Sequence, residues 1–164
     1  MWLHRRQTLF ALSALVAGAA CGFTPAYGPE GGASVLQDNL RVAAPERRDG
    51  FLIAQRLEDR FGRNDGGRYV LTVTPTIQRQ GLATSVEGTT NRFQLTGRAD
   101  FALRDKETDA VVRQGRVTDF AGFSATGSTV ATLAAERDAA ARLMVILADQ
   151  IVDRLVISAG GLPA

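Results

Sequence analysis

The chain has 164 residues, with 19 Lys and Arg against 17 Asp and Glu, 45% apolar residues, one histidine and one cysteine. That length suits one domain around a single core. The only histidine, His4, lies near the start, so Ser–His and Cys–His nucleophilic systems and histidine- or thiolate-based zinc sites are excluded for everything after it.

Residues 1–20 read as an export signal: a basic start (His4, Arg5, Arg6), an apolar stretch from Leu9 to Val16, then Ala17, Gly18, Ala19 and Ala20. The apolar stretch is well short of the roughly 20 residues that span a bilayer. Cys21 follows directly, in the position of a lipoprotein acyl acceptor, although Gly18 stands where such signals usually carry leucine. The alternative is an ordinary free or buried thiol, which in an exported chain would need its own explanation. Arg5 and Arg6 leave with the signal and no acid does, so nineteen basic residues become seventeen against seventeen acidic ones. A mature chain so close to neutral offers no argument for a nucleic-acid partner. All its cations but Lys106 are arginines, which suits bidentate contact with phosphate or carboxylate. Coding bias produces the same skew.

From residue 21 to 38 the chain is rich in Gly, Pro and small residues and reads as a flexible tether. Leu40 and Val42 alternate with polar neighbours and stop at Pro45, a short strand. Asp49 offers an N-cap to a helix with Ile53, Leu57 and Phe61 on one face, closed by Gly62. The run from Arg68 to Arg79 has the alternation and β-branched content of a strand. Pro75 predicts an edge or an irregularity there, and Gly81 a bulge, before a turn at Glu87 and Gly88.

The next strand is the clearest: Phe93, Leu95, Gly97, Ala99, Phe101 and Leu103 point one way, Arg92, Gln94, Thr96, Arg98, Asp100 and Arg104 the other. After a polar turn over 105–109, residues 110–120 return as its hairpin partner, and 122–127 break the sheet. Ser128 caps a long helix to about Ser158, with Ala140, Met144, Leu147, Ile151 and Leu155 as a stripe that widens to Val145, Ala148 and Val152. Residues 159–164 read as a disordered tail. The expected fold is α+β: a two-layer sandwich, two amphipathic helices packed on a mostly antiparallel four-stranded sheet, in the order β-α-β-β-β-α over residues 39–158. The acids, such as Glu58 and Asp59 or Asp149 and Asp153, fall on solvated helix faces, and no glycine-rich phosphate loop follows a strand. Catalytic and metal-binding residues are therefore expected to be none.

Three segments, CGFTPAYG from Cys21, GLATSVEGTTNRFQLTGRADFALRD in the central hairpin and STVATLAAERDAAARLMVILADQIVDRL in the last helix, together resemble the LptE family of lipopolysaccharide-assembly lipoproteins in its alphaproteobacterial form. The resemblance covers nearly all of the chain after the signal. It implies a non-enzymatic outer-membrane lipoprotein, acylated at Cys21 and on the periplasmic side. Such a protein plugs the large β-barrel LptD, helps assemble it, and takes part in delivering lipopolysaccharide to the outer leaflet. It implies no cofactor beyond the covalent lipid. Gly22 after the cysteine agrees with outer-membrane sorting.

Arg79, Arg92 and Arg98, on or near the central hairpin, are the residues expected to contact lipid A phosphates or core carboxylates, on the ground that their spacing puts them on one face. The alternative reading of the same arginines is a solvated strand face paired with acids such as Asp100 and Glu87. A rival function is an accessory substrate-binding lipoprotein of a lipid-transport ABC system, which shares an anchor and a small α/β domain.

Overall fold

The computed structural model describes residue 28 and residues 31–37, 39–45, 47–84, 90–125 and 127–162. The elements are α1 (Gly32–Leu36), β1 (Leu40–Val42), α2 (Arg48–Phe61), β2 (Tyr69–Thr84), β3 (Thr90–Asp105), β4 (Val111–Ser124) and α3 (Thr129–Ser158), with a 3-10 turn over Ala159–Gly161. The sheet order is β1-β2-β3-β4, with β1 parallel to β2 and the other pairs antiparallel. This is the expected two-layer α+β sandwich, with one helix more than expected at its start.

That extra element changes the reading of the tether. Ala33 and Leu36 are buried in the common core, Leu36 completely, so the stretch before residue 38 ends in a packed helical turn. At the other end Ala159 is buried and Leu162 packs on the core, so the tail is ordered as far as it is described. Small residues had masked both segments, because a single buried leucine leaves no periodic signal. Two further boundaries move. Asp49 lies in the first turn of α2, and Arg47 occupies the cap position with no side-chain cap. β4 runs on through Gly122 to Ser124, because its pairing with Arg92 continues past the glycine.

The rest follows from side-chain chemistry. Ser128 accepts a hydrogen bond from the Ala131 amide at 3.2 Å and starts α3, as expected. Gly62, at φ 86°, ends α2 in a conformation that a side chain would oppose. α3 buries Ala139, Leu143, Met144, Leu147, Ala148, Ile151, Val152, Leu155 and Val156, and fully burying each large one contributes about 1.5–3 kcal/mol. Val145, expected in the stripe, is instead exposed, since the buried arc turns toward Leu143 and Ala139.

The two layers meet closely at Gly97. A Cβ there would stand 2.9 Å from Leu143 Cδ2 and from Leu147 Cδ1, so the helix rests on the strand where the side chain is missing. Arg113 fixes the far end. Its Nε and Nη2 donate to the Ser158 carbonyl at 3.0 and 2.8 Å, placing a cation on the C-terminus of α3, where the helix dipole favours it. Arg56 ties α2 to α3 through a two-pronged bond to Asp149 at 3.0 and 3.1 Å.

Asp105, only 3% exposed, anchors the β3–β4 turn. Its Oδ1 accepts from the Glu107 and Thr108 amides at 2.9 and 3.3 Å, and its Oδ2 from Arg68 Nε at 3.0 Å. The Glu107 amide above all, with Arg68 and the Thr108 amide, holds its carboxyl below the usual carboxylate range against the opposing effect of burial.

Ladder parity explains Pro75. The Leu71 carbonyl accepts from the Ala43 amide and the Tyr69 amide donates to the Asn39 carbonyl, so odd-numbered residues of β2 face β1. β1 ends at Val42, so the Pro75 nitrogen points at an open edge where no donor is needed. Gly81 marks the register shift before Ala83, as expected of a bulge.

The Gly97 contact makes a quantitative forecast. Gly97→Val should lower stability by about 1–3 kcal/mol, the range for overpacked cores. Gly122→Ala, whose Cβ would meet nothing nearer than the Phe93 carbonyl at 3.7 Å, should cost little. Urea denaturation midpoints of the two variants provide the comparison, and equal losses would contradict the assignment of Gly97 as a point of close layer contact.

Candidate interaction surface

Period-two alternation sends half of each long strand away from the helices. Thr72, Thr74, Thr76 and Gln78 of β2, Gln94, Thr96, Arg98 and Asp100 of β3, and Gln114, Arg116, Thr118 and Phe120 of β4 lie side by side on that second face. No described helix covers it. Hydroxyl and amide side chains dominate, so the face offers many uncharged donors and acceptors. Phe120 is its large apolar feature, 61% exposed.

Two hollows mark the face. The larger, about 520 Å³, lies among Thr72, Thr74, Asp100, Ala102, Gln114 and Arg116. The smaller, about 110 Å³, is lined by Thr76, Gln78, Thr96, Arg98, Asp100 and Thr118. Asp100 faces both and is engaged by Arg116 Nε at 2.5 Å. Arg104 is held at the turn, where its Nη1 donates to the Asp109 carbonyl at 3.0 Å. Arg92 and Arg98 are exposed and form no ion pair among the described residues, so the face carries two unneutralised guanidinium groups.

The three arginines expected on one face are divided by the sheet. Arg92 and Arg98 are on the open face, six residues apart and hence about 20 Å along the strand. Arg79 pairs with Leu95 in the β2–β3 register and so lies on the helix side. There it donates to Glu136 at 3.2 Å, and its guanidinium sits 4.1 Å from the Phe93 ring centroid and 5.6 Å from that of Phe123. The two rings are themselves stacked, with centroids 5.3 Å apart. Arg79 therefore clamps the start of α3 onto the distal hairpin. Its parity with Leu71 and Val73 carried the signal in the sequence, but comparing it with β3 requires the register across the 85–89 connection. Asp100, expected beside these arginines, pairs with Arg116 instead, and Glu87 and Cys21 lie outside the described residues.

Sequence reasoning had not singled out Arg113, Arg116, Arg154 or Phe120. Arg113 looked like any other strand cation, and its contact with Ser158 links residues 45 positions apart. Among the described residues no cluster of His, Cys, Asp and Glu could hold a metal ion, and no helix is long and apolar enough to cross a membrane.

Comparison with known proteins agrees with this architecture. Residues 37–155 match the LptE family model, described as lipopolysaccharide-assembly. No curated protein matches the chain. Among solved structures, a candidate lipoprotein from Caulobacter crescentus CB15 superposes with a TM-score of 0.65 at 27% identity, covering 81% of this chain and 98% of that one. Rare lipoprotein B from Shewanella oneidensis gives 0.58 at 14% identity, over 73% of this chain and 93% of its own. A minor lipoprotein from Acinetobacter baumannii gives 0.53 at 18% identity, over 72% and 88% respectively. The last two share the fold alone, whereas the family match spans both layers of the domain, from the residue after α1 to Leu155 in α3. This chain belongs to the LptE family of lipopolysaccharide-assembly proteins.

Proposed function

We propose that this protein is an outer-membrane lipoprotein, acylated at Cys21 on the periplasmic side, that plugs the LptD β-barrel, helps it assemble, and serves lipopolysaccharide delivery to the outer leaflet. It acts by binding and performs no catalysis. The observation that carries this reading is the bare sheet face, a broad field of Thr and Gln with two unneutralised arginines. The lumen of a large barrel is polar and can meet such side chains with hydrogen bonds and charge pairs. Family membership supplies the lipopolysaccharide context. A signal over 1–20, a mature chain from Cys21, and a tether shortened by the packing of α1 complete the proposal.

Acylation fits the energetics. Each buried methylene contributes about 0.8 kcal/mol, one chain anchors only marginally, and two or more hold a protein durably. Gentle detergent extraction of the native protein followed by affinity capture should recover a large outer-membrane barrel. Cys21→Ala should move the protein to the soluble fraction when that barrel is absent. Recovery of an inner-membrane ATPase instead would favour the ABC-accessory function, and retention of the variant in washed, barrel-free membranes would refute the lipid anchor.

Lipopolysaccharide contact is assigned first to Arg98 and Arg92, which face outward with no acid of their own. Arg79 is less available, held by Glu136 and two rings. Replacing Arg92 and Arg98 together by alanine should lower lipopolysaccharide bound by the purified soluble domain at least about threefold, in line with charge-assisted bonds of roughly 1.5–3 kcal/mol partly screened at a surface. Arg79→Ala should act mainly on stability. Unchanged binding in the double variant, measured by retention on immobilised lipopolysaccharide, would remove the assignment.

A further inference from the structure

The sheet has long stretches of open edge on both sides, and they are not equivalent. The Ala125 amide donates to the Asn91 carbonyl at 2.9 Å, so odd-numbered residues of β4 bond to β3 in the register that continues to Leu103↔Arg113. The amides and carbonyls of Gln114, Arg116, Thr118, Phe120, Gly122 and Ser124 therefore point away from β3, and among the described residues only the Phe120 amide has a partner, donating to Asp119 Oδ1 at 2.7 Å. This row is about 33 Å long. On the opposite side, the open part of β2 is interrupted by Pro75 and by the register shift after Gly81, devices that discourage strand pairing. β4 has no proline, and its one irregularity, beside Val111, lies before the row begins.

The β4 edge also has a socket. A Cβ on Gly115 would stand 2.7 Å from the Phe101 ring, so the ring, itself 6% exposed, takes the space that a side chain would fill and comes up to the edge there. The resulting cavity of about 270 Å³ is lined by Phe101, Gly115 and Ile157, with Arg154 at its margin. Ile157 is 84% exposed, and Arg154 has no ion pair among the described residues. An aliphatic side chain entering beside Gly115 would cover chiefly Ile157, and an acid next to it would meet Arg154.

We propose that β4 receives an added strand from the barrel partner: an extended loop or terminal segment, outside the barrel's own sheet, with an aliphatic residue for the Gly115 socket and an acid facing Arg154. This rests on the barrel reading above and names the part of the partner. A closed barrel wall has every strand paired on both sides and cannot satisfy a free edge. Only a segment with unpaired backbone can, by β-augmentation.

Amide hydrogen exchange on the unmutated protein, free and in its purified barrel complex, tests the pairing at single-residue resolution. The outward amides of Gln114, Arg116, Thr118, Gly122 and Ser124 should slow at least about tenfold in the complex, while the odd-numbered amides, already bonded to β3, change little. Thr118→Pro, which removes one outward donor at an edge that tolerates proline in the free domain, should reduce complex yield about tenfold more than Thr118→Ala. An intact complex with unprotected even-numbered amides, or equal losses in the two Thr118 variants, would overturn strand addition and leave the plug reading standing. Protection in a homodimer without any barrel would assign the edge to a second copy and overturn the proposal. Failure to recover any barrel complex would remove the plug reading and this proposal with it.

Discussion

Everything distinctive about this domain follows from how α3 lies on one side of the sheet. The contact is close because Gly97 has no side chain between the backbone of β3 and the Leu143 and Leu147 methyl groups. Around it, Met144, Ile151, Leu155 and the aromatic residues of β2 and β3 complete the core. Two fasteners keep the helix in register: Arg113 on the Ser158 carbonyl at one end, and Arg79 with Glu136 and the Phe93–Phe123 stack toward the other. With α1 and α2 contributing to the same core, the described helices all serve one side.

The opposite side is therefore left to water or to a partner. This face carries Thr and Gln with Asp100 and a few arginines, of which Arg116 and Arg104 are engaged locally. A surface of hydroxyls and amides can form many modest hydrogen bonds at low desolvation cost, which suits prolonged contact with a polar wall. The division of labour extends to the edges, where Pro75 and the Gly81 irregularity blunt one side while the β4 row stays regular.

Much of this was legible in the residues. The strict alternation from Arg92 to Arg104 fixed which side chains of β3 are buried, and Ser128 and Gly62 marked helix ends correctly because capping is a local interaction. Pro75 and Gly81 also announced their geometry, since each acts through its own backbone. What could not be read were relations across sequence distance. The face of Arg79 depends on hairpin register, the role of Arg113 on a contact with Ser158, and the burial of Leu36 on a core shared with α3, far away in the chain, which no window of periodicity samples. Val145 failed for a subtler reason: a helix of 30 residues drifts relative to any straight stripe, and its buried arc follows the twisted sheet.

The central claim is that the bare sheet face is the surface the partner covers. Thr76→Cys places a thiol in the middle of that face, and the proposed acylation would block Cys21, the one natural cysteine. Labelling by a water-soluble maleimide in gently prepared outer membranes should be slow when the barrel is present and fast when it is depleted. Equal labelling in both preparations, with the protein still bound to the barrel, would contradict the account.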